Sequence, residues 1–197
     1  MSGSDHNTLI DELADAAASV LQDIDAATDA YAAASGIKCR AGCGQCCFSQ
    51  NVEARVVELL PLARRLVEAD LAYEVHERAT SASDNACVLY RASPQDPTLG
   101  RCGHYAERPS ICRLFGFAAI RSKTGGRELA ACHWHKKLQP EVVAAAQRDI
   151  DAGGDVPLFP DFGMRLSALT TTPSLAEMLP INQALARAIE KVALSRR

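Results

Sequence analysis

The chain has 197 residues and a mass of 21.1 kDa, and its 48% hydrophobic and 23% charged content excludes a disordered tail protein. Folding a chain of this length buries roughly 70% of its unfolded surface, so a core forms without covalent staples. Lys+Arg 21 against Asp+Glu 24 gives a net charge of −3, which argues against a protein built to grip phosphates, and no nucleic-acid partner is expected. No apolar run approaches the roughly 18 residues that suggest a membrane span. Met1 to Asp15 carries acids and lacks the basic and apolar regions of a secretory signal, so the expected location is cytoplasmic.

In chain order, residues 5–35 repeat Leu9, Ile10, Leu13, Ala17, Val20, Leu21, Ile24, Ala27 and Tyr31 at intervals of three and four, which predicts one amphipathic helix stopped by Gly36. Lys38 to Cys47 has no period and holds four Cys and two Gly, the mark of a tight loop. Val52 to about Ser83 returns to helical spacing, with Pro61 marking a break or a first turn. Asn85 to Gly103 is turn-rich, with Pro94, Pro97 and Gly100 punctuating it. Pro109 starts a short helix that carries Cys112 and Arg113. Phe115–Arg121 and Arg127–Trp134, separated by Thr124-Gly125-Gly126, predict a β-hairpin. Pro140–Ala152 predicts a helix ended by Gly153-Gly154, a loop with Pro157 and Pro160 follows, and Pro180–Ser195 predicts a last helix with Leu185, Ile189 and Val192 on one face and a basic end at Arg196-Arg197. The fold class is therefore mostly α with a small β-hairpin, a single irregular cysteine-rich metal-binding domain.

Eight cysteines stand out in a chain that does not need disulfides for stability: Cys39, Cys43, Cys46, Cys47, Cys87, Cys102, Cys112 and Cys132. In a reducing compartment so dense a pattern points to metal binding, with a thiol redox relay as the alternative. Two ligands separated by two or three residues can turn their sulfurs toward one ion. Cys46 and Cys47 are adjacent and, in an extended backbone, face opposite ways. Either one ligates and the other is a spare thiol, or the eight divide between two sites. Thiolate shells carry negative charge, and Lys38, Arg40, Arg101, Arg108 and Arg113 all lie within a few residues of a cysteine. Arg108 and Arg113 are the candidates for holding the thiolate cage or the Glu107 carboxylate. His133 and His135, at the end of the second predicted hairpin strand, would share a face opposite Trp134, where one of them could complete a zinc shell. His104 is a candidate hydrogen-bond partner for the site.

Cys43-Gly44-Gln45-Cys46-Cys47, Cys87-Val88-Leu89, and the run from Gly100 through Cys102-Gly103-His104-Tyr105, Arg108-Pro109 and Cys112-Arg113 together resemble the cysteine-cluster family named for its CxxCxxCC motif, the zinc- or iron-chelating domain of YkgJ-type proteins. The resemblance covers residues 37–135 and departs at Cys39, which three residues separate from Cys43 where the family name has two. Cys39-x₃-Cys43-x₂-Cys46 also resembles the spacing of radical S-adenosylmethionine enzymes, but the chain is shorter than the ~250 residues of a full barrel and lacks repeated strand-helix alternation. The resemblance implies a metal centre, with a flagellin lysine N-methylase that uses an iron-sulfur cluster as the family's enzyme relative. No G-x-G-x-x-G turn marks a methyl-donor site.

The expected organisation is a single domain over 1–197, with an N-terminal helix over 5–35, a cysteine-cluster core over 37–135 and a C-terminal helical region over 140–197. The expected cofactor is an iron-sulfur cluster, [4Fe-4S] favoured, or zinc. The expected function is redox or protein-modifying, with a zinc-stabilised interaction module as the alternative, in which the terminal helices offer apolar faces to a protein partner.

Overall fold

The computed structural model describes residues 3–40, 42–96, 99–123 and 125–196. The readings placed on Met1, Ser2, Pro97, Thr124 and Arg197 lie outside the described residues.

Helix α1 (Gly3–Ser35) is the predicted first helix, and Gly36, at φ 75°, ends it by donating its N–H to Ala32 O at 3.0 Å. At 1.5 Å per residue it is about 50 Å long, and its one apolar stripe serves three separate cores. Ile10, Leu13, Ala14 and Ala17 enter the largest, Val20, Leu21 and Ile24 the second, and Tyr31 with the following Ile37 the third.

Val52–Ser83 departs from the predicted helix in two places. Strand β1 (Glu53–Arg55) comes first, then a 3-10 turn over Val56–Leu59, and only then α2 (Leu60–Glu68), with Pro61 in its first turn. The break falls after α2: Asp70 takes φ 58° and Leu71 N–H reaches back to Leu66 O at 2.9 Å, closing the helix before α3 (Ala72–Ser81) begins. An Asp tolerates this left-handed conformation better than most side chains, which is how a helix stops here without glycine.

The turn-rich segment contains a hairpin, β2 (Tyr90–Ala92) against β3 (Gly100–Cys102), pairing Tyr90 with Cys102. Helix α4 (Ser110–Leu114) follows Pro109 as expected. The predicted hairpin is β4 (Ala119–Arg121) with β5 (Arg127–Leu129), shorter than expected, because the chain turns into α5 (His133–Leu138) where strand was predicted. Then come α6 (Pro140–Asp151), as predicted, and α7 (Phe159–Ser167), which lies where a loop was expected. Pro160 stands in the first turn of α7, where its missing N–H costs no helical bond. A short α8 (Pro173–Ala176) leads to β6 (Met178–Pro180), which pairs antiparallel with β1, and to α9 (Ile181–Ser195).

The result is mostly helical with small antiparallel strand pairs, in a single domain. The principal core packs α1, α2 and α9 together with Val56, Val57 and Leu59 of the 3-10 turn. The apolar stripes of α1 and α9 enter these cores, while Leu9 and Leu194 stay exposed. Among the described residues no helix is long and apolar enough to cross a membrane.

Leu66 is 1% exposed at the centre of the α1, α2 and α9 packing. Leu66→Ala is expected to cost about 2–5 kcal/mol through lost burial and the cavity left behind, lowering the melting temperature by roughly 5–15 °C in calorimetry.

Candidate metal centre

The loop after α1 bends at Gly44, whose φ is 57° and whose absent Cβ would lie 2.5 Å from the Tyr90 ring and 2.9 Å from Gly100 O. Only glycine lets this loop lie flat on the β2–β3 hairpin. The bend starts a 3-10 turn over Gln45–Phe48, and this corrects the expectation for the adjacent cysteines. In that turn the Cys46 and Cys47 sulfurs do not point apart; the Cys47 thiol hydrogen-bonds to Cys46. Cys47 O then accepts the Cys87 N–H at 2.9 Å, and Gly42 O accepts the Gly100 N–H at 2.8 Å, joining the first cysteine loop to the later ones.

Around this junction lies a cavity of about 470 Å³ walled by Cys39, Cys43, Cys46, Cys47, Cys87, Cys102 and Cys112, with Arg40, Arg101, His104, Tyr105, Glu107 and Arg108. Cys132 is elsewhere, in a second cavity of about 360 Å³ that shares Cys39, Cys43, Cys46 and Cys112 with the first. Among the described residues no three His, Cys, Asp or Glu side chains converge on one point closely enough to hold an ion. The sulfurs surround a space.

Five thiols are close enough to oppose each other's ionisation. The Cys47 hydrogen bond, helped by the Arg108 charge, brings Cys46 down to about 6. The same hydrogen bond holds the Cys47 proton, and burial with the charges of Cys46, Cys87 and Cys102 pushes Cys47 up further. Burial, then the Cys102 and Cys46 charges, pushes Cys87 up to about 11. Burial likewise raises Cys102 and Cys112, against the pull of Arg108. Without a cation in the cavity, one thiolate sits among neutral thiols. A soft, sulfur-only donor set that resists losing further protons unless positive charge arrives is chemically suited to zinc or iron.

Arg108 faces this set. Its guanidinium lies 3.5 Å over the Tyr105 ring, and it donates to Tyr105 O and Cys112 O, both at 2.9 Å. Arg113 does not face it. The Arg113 side chain is buried, lines neither cavity, and donates to Arg108 O at 2.6 Å, to Ala106 O and to Asp25 of α1. It anchors the segment 106–108 to α1, a positioning role in place of the expected hold on the thiolate cage or the Glu107 carboxylate. Glu107 pairs with Arg65 of α2, not with either arginine of its own loop. Arg40 and Arg101 line the cavity, whereas Lys38 is held through its backbone by Gln139. Burial lowers His104, against the pull of Glu107.

The histidines after Cys132 also differ from expectation. Cys132 caps α5, its sulfur accepting the His135 N–H at 3.3 Å, so His133 and His135 stand two apart on a helix and diverge. His133 is exposed and His135 buried.

Two polar residues that position the site escaped sequence reasoning. Glu58, 1% exposed, accepts the Ser110 N–H at 2.9 Å and the Arg55 N–H at 3.2 Å, fixing the start of the helix that bears Cys112. Asn182 of α9 accepts the Val88 N–H at 3.1 Å and donates to Ala86 O at 2.8 Å, gripping Cys87 from both sides. The available signals were a lone acid in the apolar run Val56–Leu60 and an Asn in register with Leu185 and Ile189.

Two outcomes test this geometry. In metal-free protein, Cys46 should be the first thiol alkylated by iodoacetamide, its rate falling as pH drops below about 6 because only the thiolate reacts, while Cys87 stays slow through neutral pH. Peptide mass mapping across pH checks this. Asn182→Leu leaves Val88 N–H and Ala86 O without their partner, so it should destabilise by about 1–3 kcal/mol and make Cys87 more alkylatable, read by melting and by the same mapping.

No curated protein and no solved structure matches the chain significantly. A family model does, with the description "Putative zinc- or iron-chelating domain", over residues 38–145. That span holds all eight cysteines, both hairpins and helices α2 to α5, and it is more than half of the chain, so the protein belongs to the CxxCxxCC family.

Proposed function

We propose that the protein holds an iron-sulfur cluster, of [4Fe-4S] type, in the first cavity, and that its four thiolate ligands come from the five residues Cys46, Cys47, Cys87, Cys102 and Cys112. The observation that supports this reading is that seven thiols are distributed along the wall of a cavity of about 470 Å³. A tetrahedral zinc site with Zn–S near 2.3 Å requires sulfurs within about 3.8 Å of one another, whereas a four-iron cluster takes its ligands at separated corners. When bound, the cluster supplies one-electron chemistry or a Lewis-acidic iron for a redox or protein-modifying role. The chain's own residues do the rest: Arg108 offsets the net negative charge of the thiolate shell, while Glu58, Asn182 and Arg113 hold the three loops that carry it. Cys39, Cys43 and Cys132 flank this set. A reducing cytoplasmic location suits eight free thiols. Zinc is the second reading, and the family description, which names zinc and iron, is consistent with either.

Protein purified anaerobically should be brown, with about four iron and four acid-labile sulfides per chain and visible absorbance that bleaches on reduction. Cys87→Ser and Cys112→Ser should lose most of that absorbance and melt lower, whereas Cys132→Ser should retain it. A colourless protein with one zinc and no sulfide would overturn the cluster in favour of zinc.

A further inference from the structure

The second cavity is walled by aromatic rings on one part and by sulfur on another. Phe115, Phe117 and Trp134 line it, and Phe115 is 42% exposed, so its ring is open to an occupant. His135 braces this wall. It is 3% exposed, meets Phe117 edge-to-face at 5.4 Å, and packs on Gly116 so closely that a Cβ there would stand 2.7 Å from its Cε1. Trp134 already partners one cation, the Lys137 ammonium, 5.0 Å from the ring centroid, although Lys137 itself does not line the cavity.

The charge beside these rings is negative. Cys39, Cys43, Cys46 and Cys112 are common to the walls of both cavities, so thiolate charge in this partition acts on each. Four thiolates around Zn²⁺, or around an oxidised four-iron core, leave a net charge of about −2. Arg40, Arg101 and Arg108 offset it from the first cavity, whereas among the described residues no Lys or Arg lines the second. An anion entering there is repelled and finds no partner; a cation is attracted. No Asp or Glu lines the second cavity either, among the described residues, so a hard metal ion would give up its water without gaining carboxylate oxygens. An alkylated ammonium group has no such demand, because its apolar surface is weakly hydrated and aromatic rings are its ordinary partners. A volume of about 360 Å³ falls in the range of small-molecule sites.

We infer that the second cavity binds a small organic cation, a quaternary ammonium group seated among Phe115, Phe117 and Trp134 beside the thiolate partition. The inference rests on the reading of the cysteines as metal-bound thiolates, and not on which metal they hold, since either shell is anionic.

The test is calorimetric titration of the anaerobically purified, full-length protein with three probes of one outline: choline, its neutral isostere 3,3-dimethylbutan-1-ol, and the anion 3,3-dimethylbutanoate. Trp134 is the chain's single tryptophan, so its emission reports whether a probe sits in this cavity. Expected are binding of choline with a change in Trp134 emission, about tenfold tighter than the alcohol, and the carboxylate weakest. Phe115→Leu removes one aromatic partner at a half-open position and should cut the preference for choline over the alcohol to about threefold, with metal content unchanged. The proposal is overturned if choline fails to bind wild-type protein, binds no tighter than the alcohol, leaves Trp134 emission unchanged, or is outdone by the carboxylate. Those wild-type outcomes decide the matter even where Phe115→Leu does not fold. Iron, zinc and sulfide measured on the same samples separate the two readings: a preference for choline in protein that holds only zinc would remove the cluster and leave this site standing, and a full cluster with no such preference would do the reverse.

Discussion

Sulfur crowding is the constraint around which the centre of the molecule is arranged. Cys46, Cys47, Cys87, Cys102 and Cys112 lie near enough for each negative charge to raise the cost of the next, and burial adds to that cost at most of them. A chain left to itself would spread such groups apart. Here they are kept together by contacts that do not involve sulfur: backbone bonds from Gly42 and Cys47 to the later loops, Glu58 at the start of α4, and Asn182 across the Cys87 turn. Each joins segments far apart in sequence, so the thiol spacing is set by the global fold and not by the CxxC-like local spacing alone.

The same division explains what the sequence made legible. Helices α1, α6 and α9 were readable because burying one stripe of a long helix leaves a period of three and four, and the eight cysteines were readable by their density. Strand β1 was not, because Glu53–Arg55 is three residues long and earns its conformation from Met178–Pro180, more than a hundred residues away. The apolar run that follows continued the helical pattern straight through it. Pro157 and Pro160 suggested loop, yet proline is as much at home in the first turn of a helix, which is where Pro160 lies in α7. Cys132–His135 alternates like a strand and is instead a capped helix, since the cysteine sulfur offers the cap a Ser or Asp would. At the site, the basic residues near cysteines were visible, but sequence distance cannot say where a guanidinium points. Arg108 faces the sulfurs, and Arg113, five residues on, faces away into an ion pair with Asp25.

The two cavities share a partition of thiols and differ in their electrostatics. One side carries arginines, a glutamate and most of the cysteines; the other is aromatic and, among the described residues, has no Asp, Glu, Lys or Arg in its wall. Such an arrangement gives the cysteine cluster two unlike faces, one suited to balancing anionic charge and one suited to apolar contact. The hydrogen bonds of α4 and the seating of His135 against Gly116 fix the two faces relative to each other.

Helix α1 runs through all three cores, yet α9, which shares the largest of them with it, lies on the far side of the whole cysteine segment. During synthesis at about 5–20 residues per second, roughly 7–30 s separate the emergence of α1 from that of α9. Over that interval the stripe of Ile10, Leu13 and Ala17 has no finished core to enter, and the Cys87 turn has no Asn182 to grip it. The thiols from Cys39 to Cys132 are all in place before the clamp exists. A metal taken up then would be captured by an open, mobile loop set, and the arrival of α9 would act as the latch, converting a loosely held ion or cluster into a buried one. The position of one helix along the chain thus places the cysteine loops before the clamp that closes on them.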